Sequence, residues 1–182
     1  MAKQKFQEII EIPENIKVEL VGRTVKMSRD GEEIKKDLNC DLREEKGKLI
    51  LESERGDKME KKMIKTARAH IRNMISGLEK SYVYKLQICS VHFPMSVNVS
   101  GNELVIKNFL GETVKRTAKI LPGVNVSIQG DIISVENIDK EKAGQTAANI
   151  EKSTRIKKRD RRVFQDGIFI IKKEKGARIE EK

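Results

Sequence analysis

The residues with the most chemistry to offer stand together late in the chain, in Lys152-Ser153-Thr154-Arg155-Ile156-Lys157-Lys158-Arg159-Asp160-Arg161-Arg162. Between Arg155 and Arg162 only Ile156 and Asp160 are not cationic. Cations packed this closely repel one another unless an anion stands beside them. A nucleotide backbone supplies such anions, and release of its counterions supplies affinity. The four arginines of the run add planar forks that grip phosphate oxygens through paired hydrogen bonds. The bland alternatives are a solvated basic loop or a targeting patch. Val163-Phe164 and Ile168-Phe169-Ile170-Ile171 flank Asp166-Gly167, so apolar residues on both sides of a turn anchor the loop to a sheet. Lys172 and Lys173 then extend the cationic surface. Phe164 and Phe169 either stack on bases or fill the core, and core is the commoner use. The candidate phosphate-binding set is Arg155, Lys157, Lys158, Arg159, Arg161, Arg162, Lys172 and Lys173.

Little else in the chain announces chemistry. His70 falls on the apolar side of a helical pattern and His92 beside Phe93-Pro94. Neither has a Cys or a second His at metal-ligand spacing, so no metal site is expected. There is no nucleophile elbow, P-loop or dinucleotide fingerprint, and the acids are scattered among lysines. No catalytic residue, cofactor or small-molecule substrate is therefore expected, although folding can assemble an acid–base pair that no motif announces. Cys40 and Cys89 lie too far apart to suggest a disulfide framework and read as small buried hydrophobes.

The average composition agrees with a polyanion partner. The chain has 182 residues, 36% of them charged, with a net charge of +10 and a pI near 9.6. That balance favours nucleic acid or an anionic surface and says nothing of fold. Its distribution says more. Residues 1–82 hold 19 basic and 16 acidic side chains, whereas residues 83–182 hold 19 and 12. The stretch 152–175 alone holds 10 and 3, which accounts for the whole excess of the second half. No apolar run approaches the ~18 residues that span a bilayer, and the polar start Met1 to Gln7 does not read as a signal peptide. A cytosolic location is expected, with no membrane partner.

The elements that must position the basic run come in two related sets. Ile12-Pro13-Glu14-Asn15-Ile16-Lys17-Val18 resembles Phe93-Pro94-Met95-Ser96-Val97-Asn98-Val99, Gly31 to Lys36 resembles Gly111 to Arg116, and Gly47 to Ile50 resembles Gly130 to Ile133. Three echoes in one order at nearly constant offset predict a duplicated unit of ~80 residues, too long for a solenoid repeat. Each unit opens with alternating strands. In the first these are Ile16 to Leu20, then Val25 and Met27, an Asp30-Gly31 hairpin turn, Ile34, and Lys48 to Glu52. In the second they are Val97 and Val99, Leu104 to Ile106, Val114, Val124 to Ile128, and Ile132 to Val135. A helix follows in each. Met59, Met63, Ala67, His70, Ile71, Met74, Ile75 and Leu78 form one apolar stripe, with Asp57 as N-cap and Gly77 as stop. The cationic face of that helix (Lys58, Lys61, Lys62, Lys65, Arg68, Arg72) either meets RNA or faces water. The second helix is capped by Asp139 and buries Ala143, Ala147 and Ile150. Closing strands are expected over Tyr82 to Val91 and Gly167 to Lys172. The expected fold is α+β: two tandem related domains, each a small antiparallel β-sheet packed on one α-helix. They would span 1–82 and 83–173, the second carrying the main RNA-binding patch, with a flexible tail over 174–182.

On these residues the chain resembles a known family. Arg162-Val163-Phe164-Gln165-Asp166-Gly167-Ile168 is similar to the C-terminal signature of large-ribosomal-subunit protein six in its archaeal and eukaryotic form. Arg159, Arg162, Phe164, Asp166, Gly167, Ile168, Ile170 and Lys173 match that pattern. Lys152 stands where Gln is usual and Phe169 where Tyr is usual, which removes a hydroxyl. The resemblance extends over nearly the whole chain, and its compact length suggests the archaeal branch. It implies attachment to large-subunit rRNA, mainly through the second domain. It also implies a place near the sarcin–ricin loop and the translation-factor binding region, among other large-subunit proteins. Two other readings stay open at this point: an RNA-acting enzyme or maturation factor, and a free nucleic-acid-binding module.

Overall fold

Alternating apolar and polar residues build strands over much of the chain in the computed structural model, which describes residues 6–38, 40–45, 47–53, 57–157 and 159–175. Among the described residues every strand pairing is antiparallel. The chain divides into two compact units, the first ending at Glu79 and the second beginning at Lys80. Both are α+β, with six strands and then a helix, and in the second a further strand after the helix.

The first unit contains β1 (Phe6–Glu11), β2 (Lys17–Val21), β3 (Thr24–Arg29), β4 (Glu32–Asp37), β5 (Asp41–Glu45), β6 (Lys48–Ser53) and α1 (Lys58–Glu79). One sheet runs β2-β3-β4 and the other β1-β6-β5. The β3–β4 hairpin turns on Asp30 and Gly31 at φ 51° and 87°, the left-handed pair that a two-residue type I′ turn requires. The helix α1 buries Ile64, Ala67, Ile71, Met74 and Leu78. Met59 and Met63 do not join them; they are 68% and 40% exposed. Met63 precedes Ile64 by one residue, which rotates it about 100° off the buried row. Gly77 does not stop the helix either. It lies buried within it, beside Met74 and Leu78, and the helix runs on to Glu79. The cationic face is partly committed: Arg68 pairs with Glu8 of β1, and Lys61 sits 5.6 Å over the Phe6 ring.

The second unit contains β7 (Tyr82–Cys89), β8 (Ser96–Ser100), β9 (Glu103–Lys107), a 3-10 turn (Phe109–Gly111), β10 (Arg116–Lys119), β11 (Asn125–Gln129), β12 (Ile132–Asn137), α2 (Lys140–Ser153) and β13 (Gly167–Lys175). Its sheets run β10-β9-β8 and β11-β12-β7-β13. Asp139 caps α2 by accepting the Glu141 N–H at 2.9 Å. Ala143, Ala147 and Ile150 of α2 are fully buried against Leu86, Ile133, Val135 and Ile168. Small residues let the helix approach closely: a Cβ on Gly144 would meet the Tyr84 hydroxyl at 3.0 Å.

The fold departs from the sequence expectations at three places. The strand from Tyr82, expected to follow the first helix as a closing strand and also to lead into the second domain, does only the latter. It is a central strand of the second unit, with Leu86 opposite Ile133 on one edge and Ile170 on the other. It is the counterpart of β1, where Ile10 lies opposite Leu49. Val114 is not in a strand and is 75% exposed. Pairing begins at Arg116, opposite Ile106, where the first unit has Ile34 opposite Met27. The duplicated position thus carries an apolar side chain in one unit and a guanidinium in the other. Cys40 and Cys89 are half-buried, not core. The strand β13 continues through Glu174 and Lys175, opposite Val83 and Tyr82; positions 176–182 of the expected tail lie outside the described residues.

Candidate nucleic-acid interface

The basic run is a loop tied down at both ends. It leaves α2 at Thr154, whose buried hydroxyl donates to the Glu151 carbonyl at 3.1 Å and accepts the Ile168 N–H at 3.0 Å. One turn earlier, the Glu151 carboxylate accepts the Ile170 N–H at 3.2 Å. The open edge of β13 is thereby joined to the last turn of α2, and the chain between them is held as a closed loop.

Arg116 fixes the departing end. Its Nη1 donates to the carbonyls of Ser153 and Arg155, both at 3.0 Å, which satisfies acceptors left open where the helix ends. Its guanidinium lies 4.2 Å over the Phe109 ring and bonds both carboxylate oxygens of Glu112. The Arg116 bond holds the Glu112 carboxyl below the usual range, with Arg159 and Lys157 also near. The acid of this pair is therefore part of the same electrostatic neighbourhood as the run.

Within the loop, two half-buried apolar residues act as anchors. Ile156 and Phe164 both pack against the core. Between them Asp160 organises a turn: its side chain accepts the Arg162 N–H at 2.9 Å and its carbonyl accepts the Val163 and Phe164 N–H groups at 3.2 and 3.0 Å. This turn presents Arg161 and Arg162 outward, with the Arg162 side chain 93% exposed. Arg159 is more constrained. Its guanidinium stands 5.0 Å over Phe164 and reaches the Leu110 carbonyl at 3.5 Å, a weak contact. Leu110 itself is buried at φ 50°, a rare conformation for a side-chain-bearing residue.

The returning end is fixed by Asp166, which is buried. Its carboxylate accepts the N–H groups of Val91 and His92 at 3.2 and 3.1 Å, and the His92 Nδ1–H at 2.9 Å. Burial alone would raise its pKa. The His92 ring and the two backbone donors outweigh that and hold the carboxyl below the ordinary aspartate range. The His92 ring also packs on Phe164, centroid to centroid 5.0 Å.

Of the expected set, the structure brings Arg155, Lys157, Arg159, Arg161 and Arg162 together on one loop, all exposed. Lys158 lies outside the described residues. Lys172 and Lys173 stand apart, roughly 17 Å along β13 from Gly167 at ~3.3 Å per residue. Lys172 pairs with Glu174, which also meets Lys85. Lys173, opposite Tyr84, faces the other side of the sheet. Among the described residues no cluster of His, Cys, Asp or Glu is fit to hold a metal, and no helix is long and apolar enough to cross a membrane. Sequence reading missed Arg116, Glu112, Glu151, Thr154 and the His92–Asp166 pair. Glu112 and Arg116 are four residues apart, but the partners that tie these residues to the loop and to β13 lie 14 to 75 positions away.

Comparison with known proteins finds relatives over most of the chain. The sequence model for Ribosomal protein L6 matches residues 93–167, which takes in the whole basic run and stops before Lys172. The large ribosomal subunit protein uL6 of Methanococcus vannielii is 44% identical over 171 residues, covering 92% of this chain and 94% of that protein. Its counterpart from Sulfurisphaera tokodaii is 46% identical over 171 residues, 92% of each chain. That from Ignicoccus hospitalis is 41% identical over 174 residues, 91% of this chain and 94% of the other.

Proposed function

Since the chain belongs to the ribosomal protein L6 family, structural constituents of the large ribosomal subunit, we propose that its second unit binds large-subunit rRNA near the sarcin–ricin loop and the translation-factor binding region. Arg155, Lys157, Lys158, Arg159, Arg161 and Arg162 meet the phosphate backbone, and Lys172 and Lys173 extend the contact along β13. Neighbouring large-subunit proteins are its other partners, with translation factors acting close by. The protein works by binding and carries out no catalysis.

The observation that supports this reading most is the mounting of the run. Charges that merely solvate a surface need no fixing. Here Thr154, Arg116, Ile156, Phe164 and Asp166 hold the loop between α2 and β13 in one shape while Arg161 and Arg162 face outward. Such preorganisation lowers the entropy lost when the arginines close on phosphates. Base edges are hidden in the deep groove of A-form RNA, so recognition rests on phosphates and shape.

Changing Arg161 and Arg162 to Ala together removes two exposed cations of the loop's turn, of which Arg162 also lies 3.7 Å from the Asp160 carboxylate. Binding to transcribed large-subunit rRNA should weaken by about 1–3 kcal/mol for each charged hydrogen bond lost. The slope of log affinity against log salt should flatten by up to ~2. An unchanged affinity and slope in that variant would remove the assignment. Crosslinking on purified large subunits tests the location, and must join this loop to RNA.

A further inference from the structure

Beside the basic loop a cleft of about 700 Å3 opens between the end of α2, the loop and the start of β13. This lies within the ~300–1,000 Å3 range of sites that take small organic groups. Its lining is not what a bare phosphate needs. Phe169, Phe164 and Ile156 give it apolar walls, Arg155 and Arg161 add guanidinium groups, and Gln165 contributes an amide that can both donate and accept. Phe169 is 41% exposed, on the face of β13 opposite to that of the fully buried Ile168. Its ring lies against the backbone of the same strand. It folds over Gly167, where a Cβ would lie 3.0 Å from its Cζ, so no larger residue fits beneath it without displacing the ring. The backbone on either side is fixed by the bonds from Ile168 to Thr154 and from Ile170 to Glu151.

A half-exposed aromatic face in a cleft that arginines also line is an arrangement on which unpaired bases stack. A base inside a duplex cannot reach such a face, because both its sides are already stacked. We propose that this cleft receives one unpaired nucleobase of the bound RNA, stacked on Phe169, while Arg155 and Arg161 hold the phosphates that flank it. The proposal rests on the reading of the loop as an RNA contact and adds to it a specific preference for an extruded nucleotide over continuous duplex.

The test uses the full chain and two short RNA duplexes, one fully paired and one with a single bulged adenosine. The bulged duplex should bind about tenfold tighter, the ratio that ~1.4 kcal/mol of base stacking gives. Phe169→Ala should abolish that preference while keeping the affinity and salt slope for the paired duplex. Phe169→Tyr, which keeps the ring, should retain it. Cys89 lines the cleft, and in a Cys40→Ser background its alkylation by N-ethylmaleimide should slow in the bulged complex and not in the paired one. Equal affinity for the two duplexes with salt dependence intact overturns the base site and leaves the phosphate contact standing, as does a preference that survives Phe169→Ala. Absence of salt-dependent binding to either duplex overturns the phosphate reading and the base site with it.

Discussion

Asp166 is an acid placed in the most basic part of the chain, yet its described partners are Val91 and His92 and not the arginines beside it. Its work is internal: it ties the residues that follow β7 to the start of β13, so that Phe164 and the loop return to the sheet at a fixed point. Because the fold favours the ionised form, the carboxyl titrates below its ordinary value of 3.8. The stability this contributes is complete above that value and is lost as the pH falls through the lower folded one. Asp166→Asn turns an amide NH2 toward backbone donors and leaves one of them unpaired. It should cost about 1–3 kcal/mol at neutral pH. Urea denaturation should show the gap to the parent chain closing in acid, where the parent's own carboxyl becomes protonated; a gap of equal size at both pH values would contradict the assignment. The cations of the run were legible in the sequence because they are contiguous. Arg116 was not, since its value lies in carbonyls 37 and 39 residues further on and in a ring seven residues back.

At the scale of elements, the loop depends on how α2 and β13 are joined. Thr154 bridges them with one hydroxyl that donates to the helix and accepts from the strand. Thr154→Val keeps the volume and removes the bridge, leaving the Ile168 N–H buried without a partner. The loss should be about 1–3 kcal/mol, seen as a lower urea midpoint, with the Ile168 amide exchanging faster than its neighbours in β13. Unaltered exchange at that amide would show that the hydroxyl does not hold the strand. Elements were legible where local pattern decides them. The β3–β4 hairpin follows from alternation around Asp30-Gly31, and α2 follows from its cap and its row of Ala143, Ala147 and Ile150. Strand β5 has a single apolar residue, Leu42, among charges, and its pairing with β6 had no local signal. The role of β7 was hidden for a related reason. Its sequence announces a strand, but whether it closes one sheet or opens another is settled by Ile133 and Ile170, tens of residues later. Met74 joins the buried row of α1 but Met59 and Met63 do not, because Met63 and Ile64 are adjacent and which of them faces the sheet is decided by the packing of β1, β3 and β6 beneath the helix.

For the whole molecule, duplication followed by divergence explains how one fold serves two ends. Both units use the same sequence of strands and helix, but the second adds β13, the strand through which the basic loop returns. It also exchanges the position of Ile34 for Arg116, which steadies that loop. Every residue argued to hold the loop, from Val91 to Ile170, belongs to the second unit, and so does the buried cluster from Tyr82 to Ile168 on which it stands. That cluster joins both sheets and α2, and a unit of this size is within the range that folds alone. The fragment 80–182 should therefore melt cooperatively by circular dichroism. It should bind transcribed large-subunit rRNA within about threefold of the full chain and with the same salt slope, because the phosphates neutralised are the same. The first unit offers a competing source of contact in the exposed lysines of α1, among them Lys58, Lys62 and Lys65. If the fragment folds but its salt slope falls by one or more, those lysines also meet phosphate, and the division of labour between the two units would have to be redrawn.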